Sequence, residues 1–233
     1  MAPILRVKDV GVVLDGNSIV EAISFELAAG DNLAIIGPNG SGKTVLLRTL
    51  LGIVPHSGVV SWAPGVKVGY VPQKIEADRQ LPLSIGDLLR AKARVVHLPS
   101  DSVQSVADVI GLSPEVLEKP IGRLSGGQSQ KALIAFALLG DPDVLLLDEP
   151  TASLDQLNEE RVYELIRRLQ KTFGLTMIIV SHDLSMVYRE ATHVLCLNRQ
   201  GLCFGPPSTV LTPETLQALY GEHLHFYQHP HNP

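Results

Sequence analysis

No stretch of this chain approaches the roughly 18 consecutive apolar residues of a membrane-spanning helix, although 45% of its 233 residues are hydrophobic. The opening Met1-Ala2-Pro3-Ile4-Leu5-Arg6 lacks the basic-then-apolar order of a secretory signal. Positive charge is also in short supply. Lys and Arg number 19 against 24 Asp and Glu, a net charge of −5, which argues against the broad basic footprint of a nucleic-acid binder. Cysteine is nearly missing: Cys196 and Cys203 fall in a strand-like region and read as buried thiols rather than a disulfide, as in a cytoplasmic protein. The expectation is a soluble chain, long enough to bury a full core, whose membrane connection runs through a partner.

What the chain does have stands out at residues 37–44. Gly37-Pro38-Asn39-Gly40-Ser41-Gly42-Lys43-Thr44 is a complete G-x-x-x-x-G-K-T phosphate-binding loop. Its glycines let the backbone take positive φ and bring several N–H donors to phosphate oxygens. The apolar run Asn32-Leu33-Ala34-Ile35-Ile36 predicts a buried strand before the loop, and residues 44–51 predict a helix after it. Phosphates would then sit at a helix N-terminus carrying about half a positive charge. Lys43 can neutralise the terminal phosphates, and the Thr44 hydroxyl can ligate Mg²⁺. A chance glycine-rich turn is the plain alternative; the strand–loop–helix setting weighs against it.

Short β-like runs occupy residues 4–7, 19–27, 58–62 and 66–71, punctuated by turn chemistry at Asp15-Gly16-Asn17 and Ala29-Gly30-Asp31. The pattern turns helical over about 84–140, with breaks at Pro99, Pro114 and Pro120, and this region reads as an insertion. Asp143-Val144-Leu145-Leu146-Leu147 suits a strand buried on both faces. A helix follows, with Val162, Leu165, Ile166 and Leu169 at 3.6-type spacing. Residues 177–180 and 194–197 are further strands. Alternating buried strands and helices imply an α/β fold with a mostly parallel sheet. The expected organisation is one domain over residues 1–233, with an inserted helical segment at 84–140 and a His-rich tail at 222–233.

Asp148 and Glu149 close the apolar strand, placing two carboxylates where open α/β sheets bind ligands. The first suits a Mg²⁺ contact and the second suits polarising an attacking water; capping of the next element is the bland reading. Leu124-Ser125-Gly126-Gly127-Gln128 precedes a strong helical run. Ser125 is a good N-cap, and the same position is a second anion site. One phosphate loop and two such sites suggest that the second serves a partner subunit's nucleotide.

With these motifs in order, the chain resembles the nucleotide-binding subunit of ABC (ATP-binding cassette) transporters along nearly its whole length. The resemblance is carried by 37–44, Gln73 after Val71-Pro72, Leu124–Gln128, Val144–Glu149, Ser153-Leu154-Asp155 and His182 within Val180-Ser181-His182-Asp183. It implies a P-loop NTPase cassette: a mainly parallel sheet core, an antiparallel β subdomain and an inserted helical subdomain. It further implies that Lys43 and the loop amides hold the β- and γ-phosphates, and that Thr44 and Asp148 hold Mg²⁺. Glu149 would orient or deprotonate the attacking water. His182 would bond the γ-phosphate and help fix Glu149, and Gln73 would contact Mg²⁺ or the water and face the membrane subunit. Ser125, Gly126, Gly127 and Gln128 would bind the nucleotide of the opposite protomer, with Asp155 signalling across a homodimer. Integral-membrane permease subunits and a substrate-binding protein are the implied partners, nucleic acid is not, and the implied location is the cytoplasmic face of the membrane.

The chain departs from the family in three places, of which one, the Ala152-Ser153 order before Leu154-Asp155, is neutral. Leu14, in Val12-Val13-Leu14, stands where an aromatic usually stacks on adenine, and Lys131 and Phe136 stand in the signature helix where arginines are commoner. From Val180 onward the chain is similar to subunits of zinc and manganese uptake systems. Four of its eight histidines, His223, His225, His229 and His231, lie in the tail; imidazole suits Zn²⁺ and its neighbours, while a solvated tail without a defined site is the plain alternative. The expected function is ATP hydrolysis that energises a divalent-metal importer. An iron-chelate or vitamin importer, and a soluble non-transport ABC ATPase, are the alternatives.

Overall fold

The computed structural model describes residues 2–74, 82–99, 101–152 and 154–221. Strands β1 (Leu5–Leu14) and β2 (Asn17–Leu27) pair antiparallel across a turn at Asp15 and Gly16. Both turn residues have positive φ, 49° and 77°, as a two-residue hairpin of Asp-Gly requires. The apolar run predicts a strand ending near Val7, yet β1 continues to Leu14. The polar Lys8-Asp9 pair marks only a bulge, where Asp9 takes φ 49° and the register slips.

Strand β3 (Asn32–Ile36) feeds the phosphate loop and α1 (Lys43–Leu50), followed by β4 (Ser57–Trp62) and β5 (Val68–Val71). Four helices come next: α2 (Ile85–Val95), α3 (Ser102–Ile110), α4 (Pro114–Leu117) and α5 (Gly126–Leu138). Pro114 starts a helix rather than breaking one, since the first turn needs no N–H from it. Then follow β6 (Val144–Asp148), α6 (Gln156–Phe173), β7 (Thr176–Val180), α7 (Leu184–Glu190), β8 (His193–Asn198), β9 (Gln200–Gly205), α8 (Pro207–Val210) and α9 (Pro213–Tyr220). The tail at 222–233 and Ser153 lie outside the described residues.

Strand order is β4-β1-β2-β9-β8-β3-β7-β6-β5. From β8 through β5 every pairing is parallel, whereas β4, β1 and β2 are antiparallel and join the rest through a single parallel pairing of Glu21 with Gln200. Strands β3 and β6 are buried at every position because both faces are covered. Ala34, Ile36, Leu145 and Leu147 pack into a core with α2, α3, α5 and α6. Leu33, Ile35, Val144 and Leu146 pack into a second core with α1 and the antiparallel strands. That is why these strands read as continuous apolar runs.

The cysteines depart from expectation: Cys196 and Cys203 form a disulfide. They face each other directly across the antiparallel β8–β9 pair, with Cα atoms 4.9 Å apart, inside the span a disulfide bridges. The expectation of free thiols came from compartment alone and could not see this register. Among the described residues, no helix is long and apolar enough to cross a membrane.

Candidate active site

Neighbouring strands β3, β7, β6 and β5 run parallel, so their C-terminal ends open on the same edge of the sheet, the usual ligand edge of open α/β folds. They deliver the phosphate loop, Ser181-His182, Asp148-Glu149 and Gln73 respectively.

The loop's glycines are required by geometry. Gly42, the N-cap of α1, has φ 98°, and a Cβ there would stand 2.9 Å from the Ile19 carbonyl oxygen. A Cβ on Gly37 would run into the Leu197 carbonyl on β8. Arg199 donates its N–H to Ser41 O at 3.2 Å, so the β8–β9 turn props the loop from behind. A cavity of about 310 Å³ opens over the loop, lined by residues 39–45 with Ile19 and Glu149.

Lys43, 6% exposed, folds back to donate to Gly37 O and Pro38 O, each at 3.0 Å, and lies 4.0 Å from Glu149 Oε1. Burial pulls its pKa down, and the Glu149 and Asp148 carboxylates oppose that. Thr44 Oγ1 donates to Asp148 Oδ1 at 3.0 Å, and the Tyr70 hydroxyl to Asp148 Oδ2 at 3.3 Å. Burial nevertheless raises the Asp148 pKa, since these two donors and the charges of Arg48 and Lys43 only partly offset desolvation. Glu149 Oε2 accepts from Gln73 Nε2 at 3.1 Å and lies 3.5 Å from His182 Nε2. Glu149 also holds φ 48°, a left-handed conformation that a side chain other than glycine adopts at a cost. Six predicted residues (Lys43, Thr44, Asp148, Glu149, Gln73 and His182) therefore form one contiguous cluster.

The signature lies apart from it. Ser125 caps α5 by accepting Gln128 N–H at 3.3 Å, and Gln128 Oε1 accepts Ser125 N–H at 3.2 Å, a reciprocal capping box. Ser125 and Gly126 are exposed, and residues 125–128 are not among those lining the loop cavity. A Cβ on Gly127 would stand 3.4 Å from Asn158 Oδ1. Asn158 is itself held by Asp155, which caps α6 through Asn158 N–H at 3.0 Å. Leu14 ends β1 and is 38% exposed.

Three contributions escape the sequence reading. Ile19 joins the cavity wall because β2 passes beside Gly42, a long-range contact without a local signal. Tyr70 reaches Asp148 because β5 pairs with β6, Tyr70 opposite Leu146; an aromatic in a strand reads as core. The Ser41 hydroxyl is buried without a partner in the loop, as no spacing rule foretells.

A family model described as ABC transporter matches residues 20–152. The zinc import ATP-binding protein ZnuC of Yersinia pestis bv. Antiqua is 38% identical over the whole of this chain and 92% of its own length. ZnuC of Cereibacter sphaeroides is 42% identical over 88% of this chain and 83% of its own. Among solved structures, the chain is similar to one from a metal-chelate type ABC transporter in an inward-facing conformation. That match has a TM-score of 0.84 at 30% identity and covers 94% of this chain and 89% of the other.

Proposed function

The chain belongs to the ABC transporter family and is an ATPase of that family, and we propose that it energises an importer of divalent metal ions, zinc first. The observation that carries the chemistry is the cluster around Glu149. Its carboxylate meets Lys43, Gln73 and His182 at the strand edge that presents the phosphate loop. The zinc assignment rests on relatives named for zinc import that span the full chain.

In this reading the loop N–H groups and Lys43 hold the β- and γ-phosphates. Lys43 is already desolvated, hydrogen-bonded to two neutral carbonyls and 4.0 Å from the Glu149 carboxylate, so a phosphate oxygen at hydrogen-bond distance improves its pairing. Thr44 Oγ1 and Asp148 Oδ1, two hard oxygen donors 3.0 Å apart, fit Mg²⁺ and would hold it; bound there, the ion supplies neutralising charge for the phosphates. Glu149 orients the attacking water and takes up its proton, while His182 bonds the γ-phosphate and steadies Glu149. Gln73 reports on the same carboxylate from a loop that faces the permease. Catalysis is positioning and electrostatics, because phosphoryl transfer asks little covalent chemistry of a protein.

Ser125, Gly126, Gly127 and Gln128 complete the site of a second copy, and Asp155 couples the two. Supporting this, Ser125 and Gly126 are exposed, Gly127 and Gln128 are half-buried, and none of the four lines its own chain's loop cavity. The working unit is then a homodimer, peripheral to the cytoplasmic face, bound to permease subunits that receive metal from a substrate-binding protein. Likeness to a metal-chelate type transporter makes uptake of a chelated metal the second reading. Cells lacking this chain should regain uptake of radiolabelled Zn²⁺ when it is resupplied, and should not with Glu149→Gln. Restored uptake of a metal chelate or vitamin with no change in Zn²⁺ would move the assignment to the second reading.

A further inference from the structure

A series of hydrogen bonds that none of these roles uses, buried at its centre and half-buried at its ends, runs behind the site. It joins the strand end that carries Glu149 to the one that carries His182. Thr151 Oγ1, two residues past Glu149, lies 2.9 Å from Glu159 Oε1 and 3.0 Å from the Tyr163 hydroxyl, both on α6. The Tyr163 hydroxyl is 3.3 Å from Ser181 Oγ, on the residue before His182. Ser181 Oγ accepts the Asp183 N–H at 3.0 Å. Tyr163 is 5% exposed and Ser181 3%, so little water competes for these groups.

Counting hydrogens fixes the direction. An ionised carboxylate only accepts, and Thr151 has a single hydroxyl hydrogen, which goes to Glu159. Tyr163 then donates to Thr151, and Ser181, whose oxygen already takes the Asp183 N–H, donates to Tyr163. The series runs one way, from the Asp183 backbone to Glu159, with each hydroxyl donating once and accepting once. Bonds aligned in this manner polarise one another, and in a dry interior a missing member leaves its neighbours unpaired. Burial raises the Tyr163 pKa, so the phenol keeps the proton it must donate.

Both ends of the series bear on reacting groups. Ala152 donates its N–H to Glu149 O at 3.0 Å, so the turn that Thr151 anchors also holds the left-handed Glu149 backbone. At the other end, Ser181 and Asp183 flank His182 on both sides. We propose that Tyr163 is a positioning residue for ATP hydrolysis. Its hydroxyl sets the spacing between the Glu149 turn and the His182 turn, so that both side chains reach the γ-phosphate and the water together. The inference rests on the roles given above to Glu149 and His182.

Tyr163→Phe keeps the ring in its packing and removes only the hydroxyl, both the donor to Thr151 and the acceptor from Ser181. With the protein assembled on its permease, kcat should fall about tenfold to a hundredfold, the scale of a small misplacement of reacting groups. The dissociation constant for Mg-ATP, measured with a fluorescent analogue, should stay within about twofold, since an interaction made only in the transition state lowers kcat and leaves ground-state binding alone. An unchanged kcat, or equal losses of kcat and nucleotide affinity, would overturn the proposal. Thr151→Val breaks the same series from the other side, and Thr151→Ser keeps it. The first should lower kcat as Tyr163→Phe does, and the second should retain it. The Tyr163→Phe, Thr151→Val pair should cost no more than either alone, because one broken series cannot break twice; additive losses would contradict the proposal. Glu149→Gln with turnover intact would instead sink the underlying roles.

Discussion

Lys43 and Asp148 are the two buried charges of the loop region, and each makes a separate prediction. Lys43 has two carbonyl partners and a carboxylate at 4.0 Å, an arrangement that a phosphate improves. Lys43→Ala should weaken ATP binding by about 1.5–3 kcal/mol, the range of a hydrogen bond to a charged group, as titration calorimetry can read. For Asp148 the prediction concerns stability. Its folded pKa lies above the ordinary 3.8, so between those two values the native state binds more protons than the unfolded chain. Stability of the nucleotide-free protein therefore falls as pH rises through that window and stays lower above it. Asp148→Asn should raise Tm at neutral pH, by about 2–4 °C for each kcal/mol regained, and lose that advantage below pH 3.8. Calorimetry showing a lower Tm at neutral pH would mean that Thr44 and Tyr70 more than offset the buried charge. At this scale the sequence made the chemistry legible: a lysine in a phosphate loop and two acids ending an apolar run are local patterns. The left-handed backbone of Glu149 and the reach of Tyr70 were hidden, because each depends on which strands pair.

Helix caps and strand ends carry the site at the next scale. Ser125 is at once the cap of α5 and, in the proposed dimer, a phosphate ligand. Ser125→Ala should cost about 1 kcal/mol of stability from the lost cap, leave monomer ATP affinity nearly unchanged and lower turnover. Loss of monomer affinity equal to that of Lys43→Ala would place Ser125 in its own chain's site instead. The β8–β9 hairpin matters in a different way. It closes through Cys196 and Cys203, seven residues apart, while Leu197 O abuts Gly37 and Arg199 holds Ser41. Chain-entropy arguments give such a short closed loop about 2 kcal/mol. Reduction by a dithiol should then lower Tm, and the Cys203→Ser protein should melt at the same temperature with and without the reductant. The buried strands β3, β6 and β7 and the stripe of α6 were plain in the sequence, since apolar runs and 3.6-residue spacing mark them without tertiary help. Strand β9 was not. Gln200-Gly201-Leu202-Cys203-Phe204 has no clear alternation and is a strand only because β8 lies beside it.

Across the whole molecule, one chain holds two half-sites in the proposed reading. The loop cluster gathers Lys43, Thr44, Asp148, Glu149, Gln73 and His182, and the signature at 125–128, with Ser125 and Gly126 exposed, lies outside the loop cavity. In that reading neither half alone completes a nucleotide site, which makes the head-to-tail dimer the central claim. Mixing two inactive variants tests it most directly. Homodimers of Lys43→Ala lack a working loop in both sites, and homodimers of Ser125→Ala lack a working signature in both. In a mixed dimer, the intact loop of the Ser125→Ala chain faces the intact signature of the Lys43→Ala chain, restoring one complete site. Steady-state ATP turnover of the mixed, permease-bound dimer should therefore exceed that of either homodimer, while a chain bearing both substitutions should rescue neither. Turnover in the mixture no higher than the average of the two parents would contradict the account, because it would mean that the loop and the signature of a single chain act on the same ATP.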